Sequence, residues 1–264
     1  MTDLRLLQQI AGHAVDRAAA LFTAKAVGTV TSKGDRDMVS ELDVAVEEQV
    51  RAFLQRETPE VGFFGEEQGG HSLEGDLTWS LDPVDGTANL VSGLPLCGIS
   101  LGLFRGSRSV LGVIDLPFLS ERFQAAEGHG AYCNGERLRV RGTSALREAI
   151  VAIGDYAVGE GSAKRNQRRL KITQLLTERA LRVRMFGSAA IDLAWVAAGR
   201  LDATITLSNH PWDMAAGVAI VREAGGCVMD ADGRSHQITS RATIAAGPGL
   251  RDEVLSLLEA ANED

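Results

Sequence analysis

Apolar positions along the chain change period twice, and each change marks a different kind of element. Leu4, Leu7, Ile10, Ala11, Ala14, Val15, Ala18 and Leu21 recur at intervals of three and four, the spacing of an amphipathic helix. Residues 31–38, with Lys33, Asp35, Arg36 and Asp37, break that pattern and predict a polar loop. Ser40 then opens a second helix whose apolar face carries Leu42, Val46, Val50, Phe53 and Leu54. Two short strands are predicted next: 61–64, running into Gly65-Glu66-Glu67, and 77–81, ending at Asp82. Gly86-Thr87 reads as the start of a further helix.

From residue 97 to 140 the apolar runs shorten, broken by glycine and proline. Segments 99–104, 110–114 and 121–125 predict antiparallel strands turning at Gly106 and at Gly128-His129-Gly130. Asn134-Gly135 predicts a hairpin between Ala131-Tyr132-Cys133 and Leu138-Arg139-Val140. Beyond about residue 145, predicted strands 150–153, 182–185, 203–206 and 243–246 alternate with predicted helices 166–178, 188–198, 212–224 and 250–261. Gly225-Gly226 closes the third of these helices. The pattern describes a layered α/β sandwich, a single unit over residues 1–264 with lobes meeting near residues 144 and 145. No repeat, low-complexity tract or linker interrupts it. Trp79, Trp195 and Trp212 are expected in the core.

Composition narrows the function classes. A formal net charge of -8 leaves no broad excess of Lys and Arg to neutralise phosphates, which argues against a general nucleic-acid binder. Cys97, Cys133 and Cys227 form neither a C-x-x-C pair nor an even framework, which favours a reducing compartment. The N-terminus lacks the apolar core of a signal peptide, and no apolar run approaches the length of a membrane span. The cytoplasm is the expected location, with no membrane partner.

Candidate chemistry lies in three acidic segments: Gly65-Glu66-Glu67, Asp82-Pro83-Val84-Asp85-Gly86-Thr87 and Pro211-Trp212-Asp213. Each has an ordinary local reading, as a solvated loop, a turn with a helix N-cap, or a cap of the following helix. A strand ending in carboxylates and turning into a helix start also offers cation ligands beside backbone N–H donors, a combination that suits a metal-bridged phosphate. The five histidines show no H-E-x-x-H spacing, and the chain has no P-loop and no G-x-G-x-x-G. Gly187-Ser188-Ala189-Ala190 is not a nucleophile elbow.

Together these segments resemble the inositol monophosphatase family of metal-dependent, lithium-sensitive sugar phosphatases. The Gly-Glu-Glu element, Asp82 to Thr87 with Asn89, and Trp212-Asp213-Met214-Ala215-Ala216-Gly217 stand in the family's order. Its Gly-Ala-x-x-Asn-Gly hairpin corresponds to 130–135 and its Gly-Ser/Thr-Ala-Ala segment to 187–190. The resemblance implies an αβαβα sandwich of the inositol monophosphatase and fructose-1,6-bisphosphatase type, and a homodimer. It implies Mg²⁺, two or three ions per site, with Mn²⁺ tolerated, as oxygen-only ligands without His or Cys also favour. Two carboxylates about 5 Å apart at an effective dielectric near 20 repel by roughly 3 kcal/mol, so converging acids need protons or cations.

Residue by residue, the resemblance gives Glu66, Asp82 and the Val84 carbonyl to a first metal, and Asp82, Asp85 and Asp213 to a second. Gly86 and Thr87 N–H groups are expected on the phosphate, and Glu66 with the Thr87 hydroxyl on the attacking water. Asp43 either buttresses Thr87 or contacts Ser40 as a cap; Glu67 either adds a metal contact or is structural. Lys33 corresponds to a loop lysine near the phosphate. Asp213, Ser188, Ala189 and Asp192 are expected to touch substrate. Thr206 stands where inositol-phosphate enzymes of the family often carry Glu, which opens the substrate to another polyol or sugar phosphate, or to histidinol phosphate. The basic run Lys164, Arg165, Arg168, Arg169 and Lys171 reads as a solvated helix face, or else reaches a second phosphate or a partner. An interaction protein binding a macromolecule on the same fold is the other class of function.

Overall fold

The computed structural model describes residues 3–24, 29–34, 37–70 and 76–262, with the backbone alone for 23–24, 32–34 and 37–39. Helix α1 (Leu4–Ala24) and α2 (Glu41–Glu57) flank strands β1 (Val30–Gly34) and β2 (Asp37–Ser40). Strands β3 (Gly62–Gly65), β4 (Gly69–Gly70) and β5 (Leu77–Asp85) lead to the short helix α3 (Thr87–Val91). A run of strands follows: β6 (Gly98–Arg105), β7 (Arg108–Leu116), β8 (Glu121–Ala126), β9 (Gly130–Cys133) and β10 (Glu136–Arg137). The remainder alternates β11 (Ile150–Ile153), α4 (Ser162–Arg179), β12 (Arg182–Arg184), α5 (Ala189–Ala197), β13 (Ala203–Thr206) and α6 (Pro211–Glu223). Strands β14 (Cys227–Met229) and β15 (Thr243–Ala246) and helix α7 (Arg251–Ala260) close the chain.

Eight strands form one sheet in the order β10-β9-β8-β7-β6-β5-β3-β4, antiparallel except for the parallel pair β3 and β5. Five form a second in the order β12-β11-β13-β15-β14. One apolar cluster joins α1 and α2 to the outer face of the large sheet through Val15, Val46, Leu54, Trp79 and Leu101. A second packs α5 and α6 between the sheets through Ile191, Leu193, Val218 and Ile220. A third holds α4 and α7 on the far face of the small sheet. The layers are therefore αβαβα. Helix α6 is buried from Met214 to Val221 on every side, as a central layer requires. It lies against β6 and β7 where Gly102 pairs with Gly112, positions at which a Cβ would strike the backbone of Ala215 or Ala216.

Four expectations are corrected. Residues 31–34 and 37–38 are strand rather than loop, β1 and β2 pairing antiparallel with Val30 opposite Ser40, while the part of that expectation at 35–36 lies outside the described residues. Strand β5 does not stop at Asp82 but continues to Asp85 through an irregularity in its pairing with β6. The return strand after Asn134-Gly135 is Glu136–Arg137, and Leu138 to Val140 form no strand. Trp79 is fully buried, its indole N–H donating to Thr58 Oγ1 at 3.0 Å, but Trp195 and Trp212 keep solvent contact.

Candidate active site

The bulge in β5 explains the Asp-Pro-Val-Asp spacing. Residues three apart on a regular strand face opposite sides of the sheet. Asp82 pairs with Ser100 and Asp85 with Gly98, so three steps on β5 answer two on β6. One inserted residue turns both carboxylates to the same side, and Pro83, with no N–H to offer a ladder, fits at the insertion. Gly86 follows at φ +88°, where a Cβ would lie 2.8 Å from the Leu96 carbonyl oxygen, and α3 starts at Thr87. Helix α3 has only five residues, so it contributes its first N–H groups rather than a sizeable macrodipole.

Glu66 is brought beside Asp82 by the parallel pairing of β3 with β5, its N–H donating to Leu81 O at 3.2 Å. The loop it starts is pinned by Glu47 of α2, a fully buried acid that sequence reasoning passed over. Glu47 accepts from Glu67 N at 2.8 Å and Gln68 N at 3.0 Å and pairs with Arg51 at 2.6 Å. Arg51 in turn reaches Gly69 O at 2.7 Å. The signal was an acid at position 47 in line with Asp43, Val50 and Leu54 on a buried helix stripe. Glu67 thus has a structural backbone role in the turn.

Asp213 arrives from a distant part of the chain on the first turn of α6. Trp212 beside it is stacked between His210, at 5.1 Å between ring centroids, and Phe64 of β3, at 5.6 Å. That aromatic stack ties the start of α6 to the strand that delivers Glu66.

Asp85 faces the start of α5. Its carboxylate accepts from the Ser188 hydroxyl, from Ala190 N at 2.8 Å and from Ala189 N at 3.2 Å. Asn89 closes the same corner, donating to Leu96 O and Phe186 O, both at 2.7 Å. Asp43 performs both functions expected of it as alternatives. It accepts from Ser40 N at 2.9 Å and from the Ser40 hydroxyl, and it also accepts from the Thr87 hydroxyl at 3.1 Å. Thr87 lies 3.0 Å from Val84 O as well. Asp43→Ala is therefore expected to cost about 2 kcal/mol of unfolding free energy, because it removes a helix-start acceptor and orphans buried donors. Urea denaturation checks this, with Ser40→Ala expected to lose less.

Burial, then the charges of Glu66, Asp85 and Asp213, push the Asp82 carboxyl well above its ordinary value. Burial and the charges of Asp85 and Glu66 push Asp213 the same way; it touches solvent, but protein crowds its carboxylate. Burial raises Asp85 to about 6, against the lowering effect of the Ser188, Ala190 and Ala189 donors. The four acids thus share one field, and the charges acting on Asp82 and Asp213 are all of one sign. Among the described residues no three His, Cys, Asp or Glu side chains stand in metal-holding geometry. The donor set nevertheless fits a hard divalent cation: carboxylate and carbonyl oxygens, buried, with only like charges acting on Asp82.

A cavity of about 450 Å³ opens beside Asp85 and Asp213, lined also by Ser188, Ala189, Asp192 and Thr206. Asp192 is buried, takes a 3.3 Å bond from Thr204 Oγ1 and leaves Oδ1 without a partner. The basic run is not wholly a solvated face, for Arg165 and Arg169 line this cavity. Lys33 falls within β1, and its side chain lies outside the described residues.

Five alternating layers with an acidic centre at the ends of β3, β5 and α6 define a phosphomonoesterase of the layered α/β type. The chain belongs to the inositol monophosphatase family, whose model matches residues 2–263. It is 36% identical over 258 residues to inositol-1-monophosphatase ImpA of Mycolicibacterium smegmatis, covering 97% of this chain and 93% of that protein. It is also 36% identical over 231 residues to a fructose-1,6-bisphosphatase/inositol-1-monophosphatase of Thermotoga maritima, covering 88% and 86%. Among solved structures it matches the extragenic suppressor protein suhB of Bartonella henselae with a TM-score of 0.89 at 30% identity, over 96% of this chain and 98% of that one. No described helix is long and apolar enough to cross a membrane.

Proposed function

We propose that the chain hydrolyses a small phosphorylated polyol or sugar at a magnesium-dependent centre built on Glu66, Asp82, Asp85 and Asp213. The observation that carries this reading is the single buried field shared by those acids beside a cavity of substrate size. Glu66, Asp82 and the Val84 carbonyl would hold one ion, and Asp82, Asp85 and Asp213 another, with Mn²⁺ accepted in their place. Bound Mg²⁺ supplies Lewis-acid charge and a lowered water pKa.

The chain's own groups do the rest. The Thr87 proton is committed to Asp43 or to Val84 O, so the Thr87 oxygen is an acceptor that orients a water proton. Glu66 accepts the proton that the water gives up. The first N–H groups of α3, at Gly86 and Thr87, face the phosphoryl oxygens, and Lys33 is assigned to the same phosphate on the family resemblance alone. Ser188, Ala189 and Asp192 contact the hydroxyl-bearing part of the ester, where the open Asp192 oxygen accepts. Thr206 leaves that wall without the acid typical of inositol-phosphate enzymes. The Thermotoga relative, named for both fructose-1,6-bisphosphate and inositol phosphate, supports a broader sugar substrate. Histidinol phosphate is the alternative ester, because the cavity wall that carries two arginines also carries Asp192, an acceptor for its ammonium group. Macromolecule binding is disfavoured because Arg169 of the one basic run is half-buried and bonded to Leu207 O on the cavity wall rather than offered on a flat surface. A homodimer in the cytoplasm and a single domain over the chain belong to the same reading.

Calorimetry and phosphate release test it. We expect magnesium uptake, loss of turnover on chelation with EDTA, recovery on adding Mg²⁺, and sugar phosphates preferred over histidinol phosphate. Absence of magnesium uptake sinks the reading whatever the substrate.

A further inference from the structure

Helix α2 sets three charged side chains four residues apart along one stripe, Asp43, Glu47 and Arg51, each about 6 Å beyond the last. The first two are fully buried. Asp43 accepts from the Thr87 hydroxyl. Glu47 bears on the turn that carries the other group assigned to the attacking water, Glu66. Its Oε2 accepts from Glu67 N at 2.8 Å and its Oε1 from Gln68 N at 3.0 Å. Those N–H groups belong to the next two residues after Glu66, whose own N–H is held by Leu81 O. The backbone of Glu66 is therefore fixed on both sides, by β5 before it and by α2 after it. Among the charges that act on Asp82, that of Glu66 ranks first.

Gly65 belongs to the same contact. A Cβ there would lie 2.4 Å from Glu47 Cδ and Oε2 and 2.6 Å from Oε1, so the carboxylate occupies the place of the missing side chain. Gly65 lies in β3 without a positive φ, so this close approach requires the glycine and the backbone conformation does not. Arg51 completes the clamp. Its Nη2 bonds Glu47 Oε1 at 2.6 Å and Gly69 O at 2.7 Å, and its guanidinium lies 4.4 Å from the centre of the Phe63 ring. Two N–H donors and one cation take up three of the roughly four acceptor sites of a carboxylate. Glu47 thus serves the acidic centre without joining it.

We propose that Glu47, held by Arg51, is a positioning residue that fixes the direction from which Glu66 enters the acidic centre. It thereby sets how tightly the ion is held and how well the water is aligned, in register with Asp43 one turn earlier, which holds Thr87. The proposal rests on the reading of Glu66 as a ligand and proton acceptor.

Glu47→Gln keeps the shape of the side chain but turns an NH2 group towards one of the three donors. Calorimetric Mg²⁺ titration should show affinity lower by on the order of 10-fold, the size expected when a group that orients a ligand is lost. At saturating Mg²⁺, kcat should fall to a similar extent while KM for the ester stays within about twofold, because the ester is held on α3, α5 and the cavity wall. Gly65→Ala puts a methyl group where the carboxylate stands and should reproduce the magnesium loss, and Gly65→Ala/Glu47→Gln should lose no more than the larger single effect. Val50→Ala is the control. It truncates a buried side chain of the same helix, so its urea midpoint should fall while magnesium affinity stays within about twofold of wild type. Unchanged affinity in Glu47→Gln, additive losses in the double variant or an equal loss in Val50→Ala overturns the positioning role while the phosphatase reading stands. If Glu47→Gln unfolds, Gly65→Ala decides by the same titration. If wild type takes up no magnesium, the metal reading fails separately. Amide exchange at Glu67 and Gln68 then decides the clamp: faster exchange in Glu47→Gln supports it, and unchanged exchange overturns it.

Discussion

Asp213→Asn is expected to lower kcat/KM for the phosphate ester roughly 10³-fold while raising the thermal midpoint of the metal-free protein. The first effect follows from weakening the hold of Asp82, Asp85 and Asp213 on an ion whose positive charge would stabilise the reacting phosphate, the scale seen when an electrostatic stabiliser is removed. The second has the opposite sign because Asp213 is held against like charges. One carboxylate pair at about 5 Å and an effective dielectric near 20 costs roughly 3 kcal/mol, and a neutral amide removes it. The pH dependence has a definite direction. Asp82 and Asp213 have folded values above the ordinary 3.8, so the folded chain holds protons that the unfolded chain has released. In EDTA, stability is therefore greatest near pH 4 and declines as pH rises through the raised values, for Asp85 by about pH 6. Wild type and Asp213→Asn should converge at pH 4 and separate above it. Mg²⁺ reverses the order, because an ion bound only by the folded state stabilises wild type by mass action. Thermal unfolding followed by circular dichroism, in EDTA and in Mg²⁺, reads all three. A variant less stable than wild type in EDTA at pH 7 would refute the shared field.

The helices and strands were legible where one face meets a continuous core, because a single period then governs the whole element. Helices α1 and α2 and strands β6 to β8 are of this kind. The β1–β2 hairpin was not, since most of its residues are polar or glycine and its pairing is local. In the centre, residue types were visible but arrangement was not. The Asp82 and Asp85 pair stood out, yet the bulge that turns both to one side depends on pairing with β6. The stack of His210, Trp212 and Phe64 joins residues far apart in the chain and has no local pattern. Glu47 and the arginines were legible in principle. Glu47 breaks an apolar stripe, and Arg165 and Arg169 share a helical face that Lys164 and Lys171 do not.

Gly112→Ala is expected to cost about 3 kcal/mol or more and to weaken magnesium binding, although Gly112 is remote from every proposed ligand in sequence. A methyl group there would lie 2.2 Å from Ala216 O and 2.6 Å from Ala216 Cα, with backbone on all near sides. Side chains can rotate away from an intruding atom; a buried helix backbone can only shift. Overpacking usually costs about 1–3 kcal/mol, and this case lies at the upper end because α6 is enclosed between two sheets. The shift is transmitted to function because the same helix carries Asp213 on its first turn and Ala216 on its next. Moving α6 off the sheet moves Asp213 away from the carboxylates of β5, which belong to the sheet itself. Gly12→Ala is the counterpart. Its Cβ meets nothing within 4 Å in the middle of α1, so it should stabilise by up to about 1 kcal/mol through helix propensity. Urea midpoints and calorimetric magnesium titration of the two variants separate steric contact from a general intolerance of glycine replacement. Wild-type midpoint and magnesium affinity in Gly112→Ala would show that α6 does not need this close approach to hold Asp213 in place.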